Sequence, residues 1–442
     1  MAELEPLFTA EEMRAAEAGH DVEAMMQRAG TAVAEELARR FPDARRIALH
    51  AGGGANGGDG RIAAEILQAQ GRELVEERPE VVIDALLGTG LKGAPREETS
   101  RLIEQINAGG VPVVAVDIPS GVNASTGEIA GAAVRADVTV TMHGPKVALA
   151  VAPGRFHAGE VAVVDIGLQA AETEHRLVAP EILAEVPRRS ARDNKYTAGH
   201  VLVVGGSRGM TGAPALAARS ALRADVGYVT IAAPEESLPV LETLVLEAVK
   251  RPLENVFEAA AKAKALAIGP GLGRGPEAKA LVRRLVADVE LPAVVDADAL
   301  FELEPGEWPA PRVLTPHEGE LARLLGRESK EITAHRLASV QEAAEKFRAV
   351  VVLKGEDSLV AAPGCGVLVC ALGLPSLSTA GTGDVLTGVT AAFLAKGMEP
   401  QRAAAAACAA QQLAARAASR RYGLVASDVV EALPRALALD FG

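Results

Sequence analysis

Cysteine, aromatic residues and long apolar runs are all scarce in this chain of 442 residues. Its three cysteines (Cys365, Cys370 and Cys408) are too few for a disulfide framework and lack the spacing of a zinc site, so we expect reduced thiols. No apolar run is long enough to cross a bilayer, and the N-terminal residues lack the basic and apolar regions of a signal peptide. We therefore predict a cytoplasmic protein without a membrane partner.

Positive charge is also in the minority. The chain has 45 Lys and Arg against 58 Asp and Glu, a formal net charge of −13. Nucleic-acid binding needs clustered positive charge, so we expect no nucleic-acid partner. Hydrophobic residues make up 49% of the chain and aromatic residues only 3%, which predicts a buried core of Ala, Val and Leu. At this length two or three domains are expected.

Two halves of the chain alternate apolar strands with amphipathic helices, a pattern that indicates α/β domains built on parallel sheets. The first half predicts a helix over residues 9–40 with Thr9 as its N-cap, a strand at 46–51 and a helix at 62–70. A charged, proline-richer stretch at 169–194 separates the halves. We therefore predict two domains, residues 1–185 and 186–442.

The most informative motif is Thr379-Ala380-Gly381-Thr382-Gly383-Asp384, at the predicted start of a helix with Val385, Leu386, Val389 and Phe393 on one face. Gly381, Thr382 and Gly383 can point consecutive backbone N–H groups at one place, to which the helix adds its positive end. This arrangement suits a phosphoryl group in transfer, and Asp384 could accept a proton from a substrate hydroxyl. The alternative is an ordinary helix start capped by Asp384.

Residues 190–440 resemble the ADP/ATP-dependent NAD(P)H-hydrate dehydratase family, which has a ribokinase-like fold. The resemblance is carried by K-Y-T-A-G-H-V-L-V-V-G-G-S (195–207), G-M-T-G-A (209–213), I-G-P-G-L-G (268–273), L-T-P-H-E-G-E (314–320), L-K-G (353–355) and T-A-G-T-G-D-V-L-T-G (379–388).

This resemblance implies that the hydroxyl of a hydrated nicotinamide ring is phosphorylated and that phosphate then leaves. It implies a hydrate site lined by Ala213, Gly271, Gly273, His317 and Asp384. His317 has the alternative of an ordinary loop residue. The co-substrate would be ADP or ATP, with the Mg²⁺ expected in phosphoryl transfer. Its contacts would be Lys354, Gly355, Glu356, Asp357, Ser358 and Gly383, to which the backbone argument adds Gly381 and Thr382.

In the first half, the glycine-rich run Gly52–Gly60 (G-G-G-A-N-G-G-D-G) follows a predicted strand. Such a run alone is weak evidence for a dinucleotide site, and no hydride-transfer constellation of a dehydrogenase follows it. Asn56, Asp84 and Ser120 are oxygen donors at the ends of three predicted strands, which a parallel sheet would bring together. Oxygen ligands of low total charge suit a monovalent cation better than zinc. Alternatively, each of the three only caps a local turn.

Residues 9–165 resemble the NAD(P)H-hydrate epimerase family, a Rossmann-like fold, through G-A-N-G-G-D-G (54–60), D-A-L-L-G-T-G-L-K-G (84–93), V-D-I-P-S-G (116–121) and A-D-V-T-V-T-M-H-G-P-K (136–146). The resemblance implies K⁺ at Asn56, Asp84 and Ser120, and Asp117 as the acid/base candidate. The implied hydrate contacts are Ala55, Asn56, Gly57, Gly58, Asp59, Gly88, Thr89, Gly90, Leu91, Lys92, Gly93, Ala94 and Asp117.

Together, the two resemblances imply a bifunctional repair enzyme. The first domain would interconvert the R and S hydrates of NADH and NADPH (NADHX and NADPHX), and the second would dehydrate the S form. The family's tendency to assemble implies a homo-oligomer. The chain departs from the family patterns at Ala55, Ala371 and Leu374, where amides are usual, and at Ser358, where Thr is common. The alternatives are a ribokinase-like small-molecule kinase with an inert N-terminal domain, and a non-catalytic dinucleotide sensor.

Overall fold

The computed structural model of the chain describes residues 4–168, 172–418 and 422–439. The chain forms two compact units: an N-terminal unit, Pro6–Arg176, and a C-terminal unit, Leu177–Gly442 with the residues that precede Pro6. The division lies in the charged stretch 169–194, of which residues 169–171 are outside the described ones. The domain boundary predicted after residue 185 lies a little further along the chain.

A six-stranded sheet organises the N-terminal unit. Its strand order is β3-β2-β4-β5-β6-β7 and every neighbouring pair is parallel, as the alternating pattern predicts. The short strand β1 (Glu5–Pro6) belongs to the sheet of the C-terminal unit, described below. The elements of the N-terminal unit are, in chain order, α1 (Ala10–Glu17), α2 (Val22–Arg40), β2 (Arg46–Ala51), α3 (Ala55–Ala69), β3 (Glu73–Leu74), β4 (Val81–Ala85), α4 (Glu97–Ala108), β5 (Val113–Val116), β6 (Val138–Met142), α5 (Val147–Ala150) and β7 (Glu160–Val164).

The single helix predicted over residues 9–40 is wrong, because the segment forms two helices. Thr9 is the N-cap of α1 and shares the predicted capping box with Glu12. The helix ends before Gly19, which adopts φ +83°, and Asp21 then caps α2. A glycine in the left-handed region ends a helix without steric cost, so the chain can turn here.

The glycine-rich run is mostly helical, and the helix predicted at 62–70 begins at Ala55. Glycine weakens helices, which explains why sequence pattern placed the start too late. Tertiary packing requires glycine in this turn, because a Cβ added at Gly57 would lie 2.0 Å from the carbonyl oxygen of Gly52. The first turn of α3 can therefore fold back against the end of β2.

The C-terminal unit is built on a larger sheet. Among the described residues its strand order is β1-β8-β17-β16-β15-β14-β13-β12-β9-β10-β11, parallel from β11 to β15 and antiparallel from β15 to β17. In chain order, the elements are β8 (Arg176–Leu177), β9 (His200–Val204), α6 (Gly212–Arg223), β10 (Tyr228–Ala233), α7 (Leu238–Leu244), β11 (Val249–Pro252), α8 (Val256–Ala260), β12 (Ala265–Ile268), α9 (Pro276–Asp288), β13 (Ala293–Val295), β14 (Arg312–Leu314), α10 (Glu318–Leu325), α11 (Ser329–Ala334), α12 (Arg336–Phe347), β15 (Val350–Leu353), β16 (Ser358–Ala361), β17 (Leu368–Cys370), α13 (Thr382–Ala395), α14 (Pro400–Ala417) and α15 (Ala426–Leu437).

Small apolar residues fill the core of this unit, as the composition predicts. Every residue from Val385 to Leu394 is buried, so α13 is a central helix rather than the amphipathic helix predicted with one apolar face. The neighbouring α14 buries an unbroken run from Ala403 to Leu413, and its alanines let the backbones approach closely. The first turn of α13 therefore lies at the end of a buried helix.

None of the helices within the three described ranges combines the length and the apolar character needed to cross a membrane.

Candidate active sites

The N-terminal unit contains a cavity of about 790 Å³, lined by residues of α2 and by residues that follow β2, β4 and β5. This size lies in the range of small-molecule sites. Gly58, a predicted contact, faces α2 instead, where an added Cβ would lie 2.0 Å from Cε of Met26. Gly93 is also not among the lining residues. The predicted contacts that line the cavity are Ala55, Asn56, Gly57, Asp59, Gly88, Thr89, Gly90, Leu91, Lys92, Ala94 and Asp117.

The three predicted cation ligands lie in one hydrogen-bonded cluster. The Ser120 hydroxyl donates to Asp84 Oδ1 at 2.6 Å and accepts from the Leu87 N–H at 2.9 Å. The Asn56 amide donates to the Leu87 carbonyl at 3.0 Å. Three strand ends thus converge as a parallel sheet requires.

Asp84 carries the charge of this cluster. It is fully buried, and burial raises the pKa of its carboxyl to about 6. Among the described residues its partners are the Ser120 hydroxyl and the N–H groups of Leu86 and Ser120, with no cationic side chain. A buried carboxylate without a cation is costly, and a small monovalent ion would supply the missing charge. The residues present therefore fit a K⁺ ion.

Asp117 lies at the floor of the same cavity, just after β5, with φ +63°. Its Oδ1 accepts from the Thr141 hydroxyl and the Met142 N–H, each at 3.1 Å, and from Lys146 Nζ. The Lys146 ammonium is buried and also donates to the Met142 carbonyl at 2.8 Å. All described hydrogen bonds to this carboxylate end on Oδ1, so Oδ2 remains available to a ligand.

In the C-terminal unit, the Gly381-Thr382-Gly383-Asp384 turn forms the start of α13. Gly381 adopts φ +90°, and the Thr382 hydroxyl donates to the carbonyls of Leu377 at 3.0 Å and Thr379 at 2.9 Å. These bonds fix the turn, and the first N–H groups of a helix have no acceptor within it. Together with the helix dipole, these N–H groups suit the anion site that the sequence predicts.

A lysine and three carboxylates surround this helix start. Lys354 Nζ lies 2.9 Å from Asp296 Oδ1 and 3.7 Å from Glu320 Oε2. Asp296 also accepts from the Thr387 hydroxyl at 2.7 Å. Burial first, and then the nearby Asp296, raise the pKa of Asp384 to about 7. A carboxyl with such a pKa can exchange a proton with a substrate hydroxyl near neutrality.

The other predicted contacts of this unit fall into two groups around α13. A Cβ added at Gly383 would lie 3.5 Å from Lys354 Nζ, so the predicted nucleotide loop meets the helix start. A Cβ added at Gly271 would lie 3.4 Å from Ala213, and the Gly273 N–H donates to Asp298 at 2.9 Å. These residues form the second group, which lies at the start of α6.

His317 has a structural role that the sequence left open. It is the N-cap of α10, and its Nδ1 accepts from the Gly319 N–H at 3.0 Å and the Glu320 N–H at 3.4 Å. An accepting Nδ1 carries no proton, so the proton of the neutral ring is on Nε2. The side chain is 60% exposed, and its Nε2 lies 3.6 Å from Glu320 Oε1.

The predicted nucleotide loop between β15 and β16 is held by buried contacts. Asp357 is buried and pairs at 2.9 Å with Arg336, which is buried as well and also contacts Glu318. The Ser358 hydroxyl donates to the Gly355 carbonyl at 3.0 Å. Asp357 and Ser358 therefore shape the loop, and Lys354, Gly355 and Glu356 form its outer part.

Sequence reasoning missed four charged residues of these sites: Lys146, Asp296, Glu320 and Arg336. Asp296 directly follows β13, so the strand-end rule that identified Asp84 could have found it. Glu320 stands three residues after His317 in a capping box, which is a local signal. Lys146 and Arg336 act on partners 29 and 21 residues away, and no local spacing indicates such pairs.

Comparisons with known proteins cover both units. The family described as NAD(P)H-hydrate dehydratase matches residues 201–435, and the family described as YjeF-related protein N-terminus matches residues 22–76 and 68–148. A Salinibacter ruber protein described as a bifunctional NAD(P)H-hydrate repair enzyme is 39% identical over 83% of this chain and 73% of its own length. A Moorella thermoacetica protein of the same description is 36% identical over 93% of this chain and 92% of its own length.

The C-terminal unit is also similar to solved structures. The ADP/ATP-dependent NAD(P)H-hydrate dehydratase of Bacillus subtilis, co-crystallised with ATP and Mg²⁺, is 29% identical with a TM-score of 0.55. The match covers 60% of this chain and 98% of that one. A ribokinase-like superfamily protein of Enterococcus faecalis, 23% identical with a TM-score of 0.55, covers 62% of this chain and 98% of its own, and supports the fold.

Proposed function

The chain belongs to the family of bifunctional NAD(P)H-hydrate repair enzymes, and on that premise we propose which of its residues carry each reaction. The protein epimerises the R and S forms of NADHX and NADPHX and dehydrates the S form to NADH or NADPH at the expense of ADP or ATP. The residue roles, the K⁺ ion and the homo-oligomeric state are our proposals.

For dehydration, we assign proton acceptance to Asp384. As the substrate hydroxyl attacks the terminal phosphorus of the nucleotide, its proton passes to the Asp384 carboxylate and the P–O bond to the nucleotide breaks. The N–H groups at the start of α13, with Lys354, stabilise the transferring phosphoryl group. Mg²⁺, when bound with the nucleotide, neutralises phosphate charge.

Phosphorylation matters because hydroxide is a poor leaving group and phosphate is a good one. The C6–O bond then breaks as the ring-nitrogen lone pair forms a C=N bond, and loss of a proton from C5 restores the reduced ring. The position of Asp384 in the first turn of α13, beside Lys354, carries this assignment.

For epimerisation, we assign the acid/base role to Asp117 and the K⁺ site to Asn56, Asp84 and Ser120. The observation that supports K⁺ is the fully buried Asp84 carboxylate, which lacks a cationic partner among the described residues. When bound, K⁺ would balance this charge and fix the loop that carries Leu87, next to the cavity. Asp117, held by Lys146 through Oδ1, keeps Oδ2 available to exchange a proton with the hydroxyl group on the epimerised carbon.

The test is recovery of reduced-nicotinamide absorbance from a mixed R and S hydrate preparation, with ADP, with ATP and with neither, in K⁺ and in Na⁺. We expect full, nucleotide-dependent recovery in K⁺ and recovery that stalls after the S form is consumed in Na⁺. With Asp117→Asn, recovery should stall in either salt after the S form is consumed. With Asp384→Asn, no reduced nicotinamide should be recovered. Phosphorylated product without recovery would instead support the kinase alternative, and binding without turnover the sensor. Equal recovery in K⁺ and Na⁺ would refute the K⁺ assignment.

A further inference from the structure

A second carboxyl group in the epimerase cavity has no assigned chemistry. Asp59, on the first turns of α3, lines the cavity with Asp117 and Glu17. Its side chain is only 9% exposed, and its Oδ1 is buried without a hydrogen-bond partner among the described residues. A buried polar atom without a partner is costly, which indicates that a ligand completes it.

The environments of Asp59 and Asp117 differ in one decisive respect. Asp117 has a cation, Lys146, and two further hydrogen-bond donors on its Oδ1. Asp59 has no ion pair among the described residues, and burial, with the nearby Asp117 and Glu17, raises the pKa of its carboxyl to about 7. One cavity thus holds one carboxylate paired with a lysine and one carboxyl that can carry a proton at neutral pH, an arrangement that suits an acid and a base.

Epimerisation at C6, the hydroxyl-bearing carbon, requires both an acid and a base. If the C6–O bond breaks, the leaving oxygen takes a proton and departs as water, while the ring-nitrogen lone pair forms a C6=N1 bond. Water must then add to C6 on the opposite ring face and give its proton to a base. A single carboxyl cannot serve both faces of a planar ring at once, so inversion calls for two groups on different elements of the fold.

We propose that Asp59 is the second catalytic residue of the epimerase, donating the proton to the leaving hydroxyl while Asp117 accepts one from the incoming water. The reverse reaction exchanges the two roles, and solvent restores the protonation states between turnovers. The inference rests on the proposed epimerase function of this cavity.

The experiment uses the full chain with Asp384→Asn, so that dehydration does not drain the substrate, in saturating K⁺. Purified S hydrate is followed toward the R/S equilibrium, with the uncatalysed rate subtracted. Asp59→Asn preserves the shape of the side chain but cannot donate a carboxylic proton. We expect kcat for epimerisation to fall by about 100-fold or more, with KM changed by less than about threefold. Glu65→Gln, an exposed position on the same helix, is the matched control and should change neither.

Two readouts separate proton donation from a structural role. The parent's kcat should decline as pH rises through the Asp59 pKa, and Asp59→Asn should lose that alkaline decline. In ¹⁸O-labelled water, each inversion should place one labelled oxygen on C6. The proposal is overturned if Asp59→Asn keeps kcat within about threefold, if only KM changes, or if inversion proceeds without label. A parent that does not epimerise at all would instead refute the proposed function.

Discussion

Replacing Arg336 by Met should destabilise the C-terminal unit and weaken nucleotide binding together. Arg336 begins α12, is 4% exposed and lies 2.9 Å from Asp357, which is 2% exposed. It also contacts Glu318, the residue after His317. One buried guanidinium therefore joins the predicted nucleotide loop to α10, the helix that begins beside the predicted hydrate site.

The size of the stability loss depends on which carboxylate partner of Arg336 stays buried after the substitution. Glu318 is 35% exposed and can return to water, whereas Asp357 would stay buried and lose the positive charge of Arg336. Removing one member of a buried pair costs about 3–5 kcal/mol, and we expect about 3 kcal/mol here. The double variant Arg336→Met with Asp357→Asn removes both charges and should recover more than half of that loss. Arg348→Met breaks an exposed pair with Glu307 and should cost less than about 0.5 kcal/mol.

The single tryptophan provides the assay. Trp308 donates from Nε1 to the Phe347 carbonyl at 2.6 Å, at the end of α12, so its fluorescence in urea reports unfolding of this region. KM for ADP should rise in the single variant and return toward the parent's value in the double one. The reasoning fails if Arg336→Met unfolds within about 1 kcal/mol of the parent, or if the double variant is no more stable than the single.

Three further predictions concern single sites. Asp384→Asn should reduce dehydration about 100-fold or more. Because burial raises the pKa of Asp384 to about 7, the parent loses stability progressively between about pH 4, where the unfolded carboxyl ionises, and pH 7. The variant should therefore gain about 1–3 kcal/mol at pH 8 and less than half of that at pH 5, measured by thermal unfolding. Ala55→Asn should lower KM for epimerisation about fivefold with kcat unchanged, by restoring one hydrogen bond. Gly383→Ala should fold, because its Cβ would lie 3.5 Å from the nearest atom, but it should raise KM for the nucleotide. By contrast, the Cβ of Gly388→Ala would lie 2.0 Å from the Ala217 carbonyl oxygen, so this variant should lose about 3 kcal/mol in urea unfolding.

Strand ends were the part of the sites that sequence could predict. Asn56, Asp84 and Ser120 were grouped because parallel strands end at one edge of a sheet, and the structure places them in one hydrogen-bonded cluster. Asp296 obeys the same rule but was not singled out, since its loop has no glycine signature to draw attention to it. The strand-end rule therefore predicts where polar side chains meet, whereas the chemistry of each side chain depends on its neighbours in the folded chain.

Side chains that act across long separations could not be predicted. Lys146 and Arg336 are ordinary residues in the sequence, and their roles come from buried carboxylates that only the folded chain brings near. The start of α3 was misplaced for a related reason. Local propensity disfavours a helix through Gly57, and the contact with Gly52 that requires glycine there is tertiary.

The two units reach similar charge arrangements from different folds. In the N-terminal unit, Lys146 pairs with Asp117 and leaves Asp59 without an ion pair among the described residues. In the C-terminal unit, Lys354 pairs with Asp296, which stands beside the start of α13 and its Asp384.

In each unit, burial and the paired carboxylate raise the pKa of the other carboxyl to about 7. A lysine that neutralises one carboxylate therefore does not neutralise the second, which keeps a proton that it can exchange near neutrality. Because the dehydratase consumes one epimer that the epimerase must replenish, a shared pH range is a functional requirement. Two carboxyls whose pKa values are raised to about 7 meet that requirement.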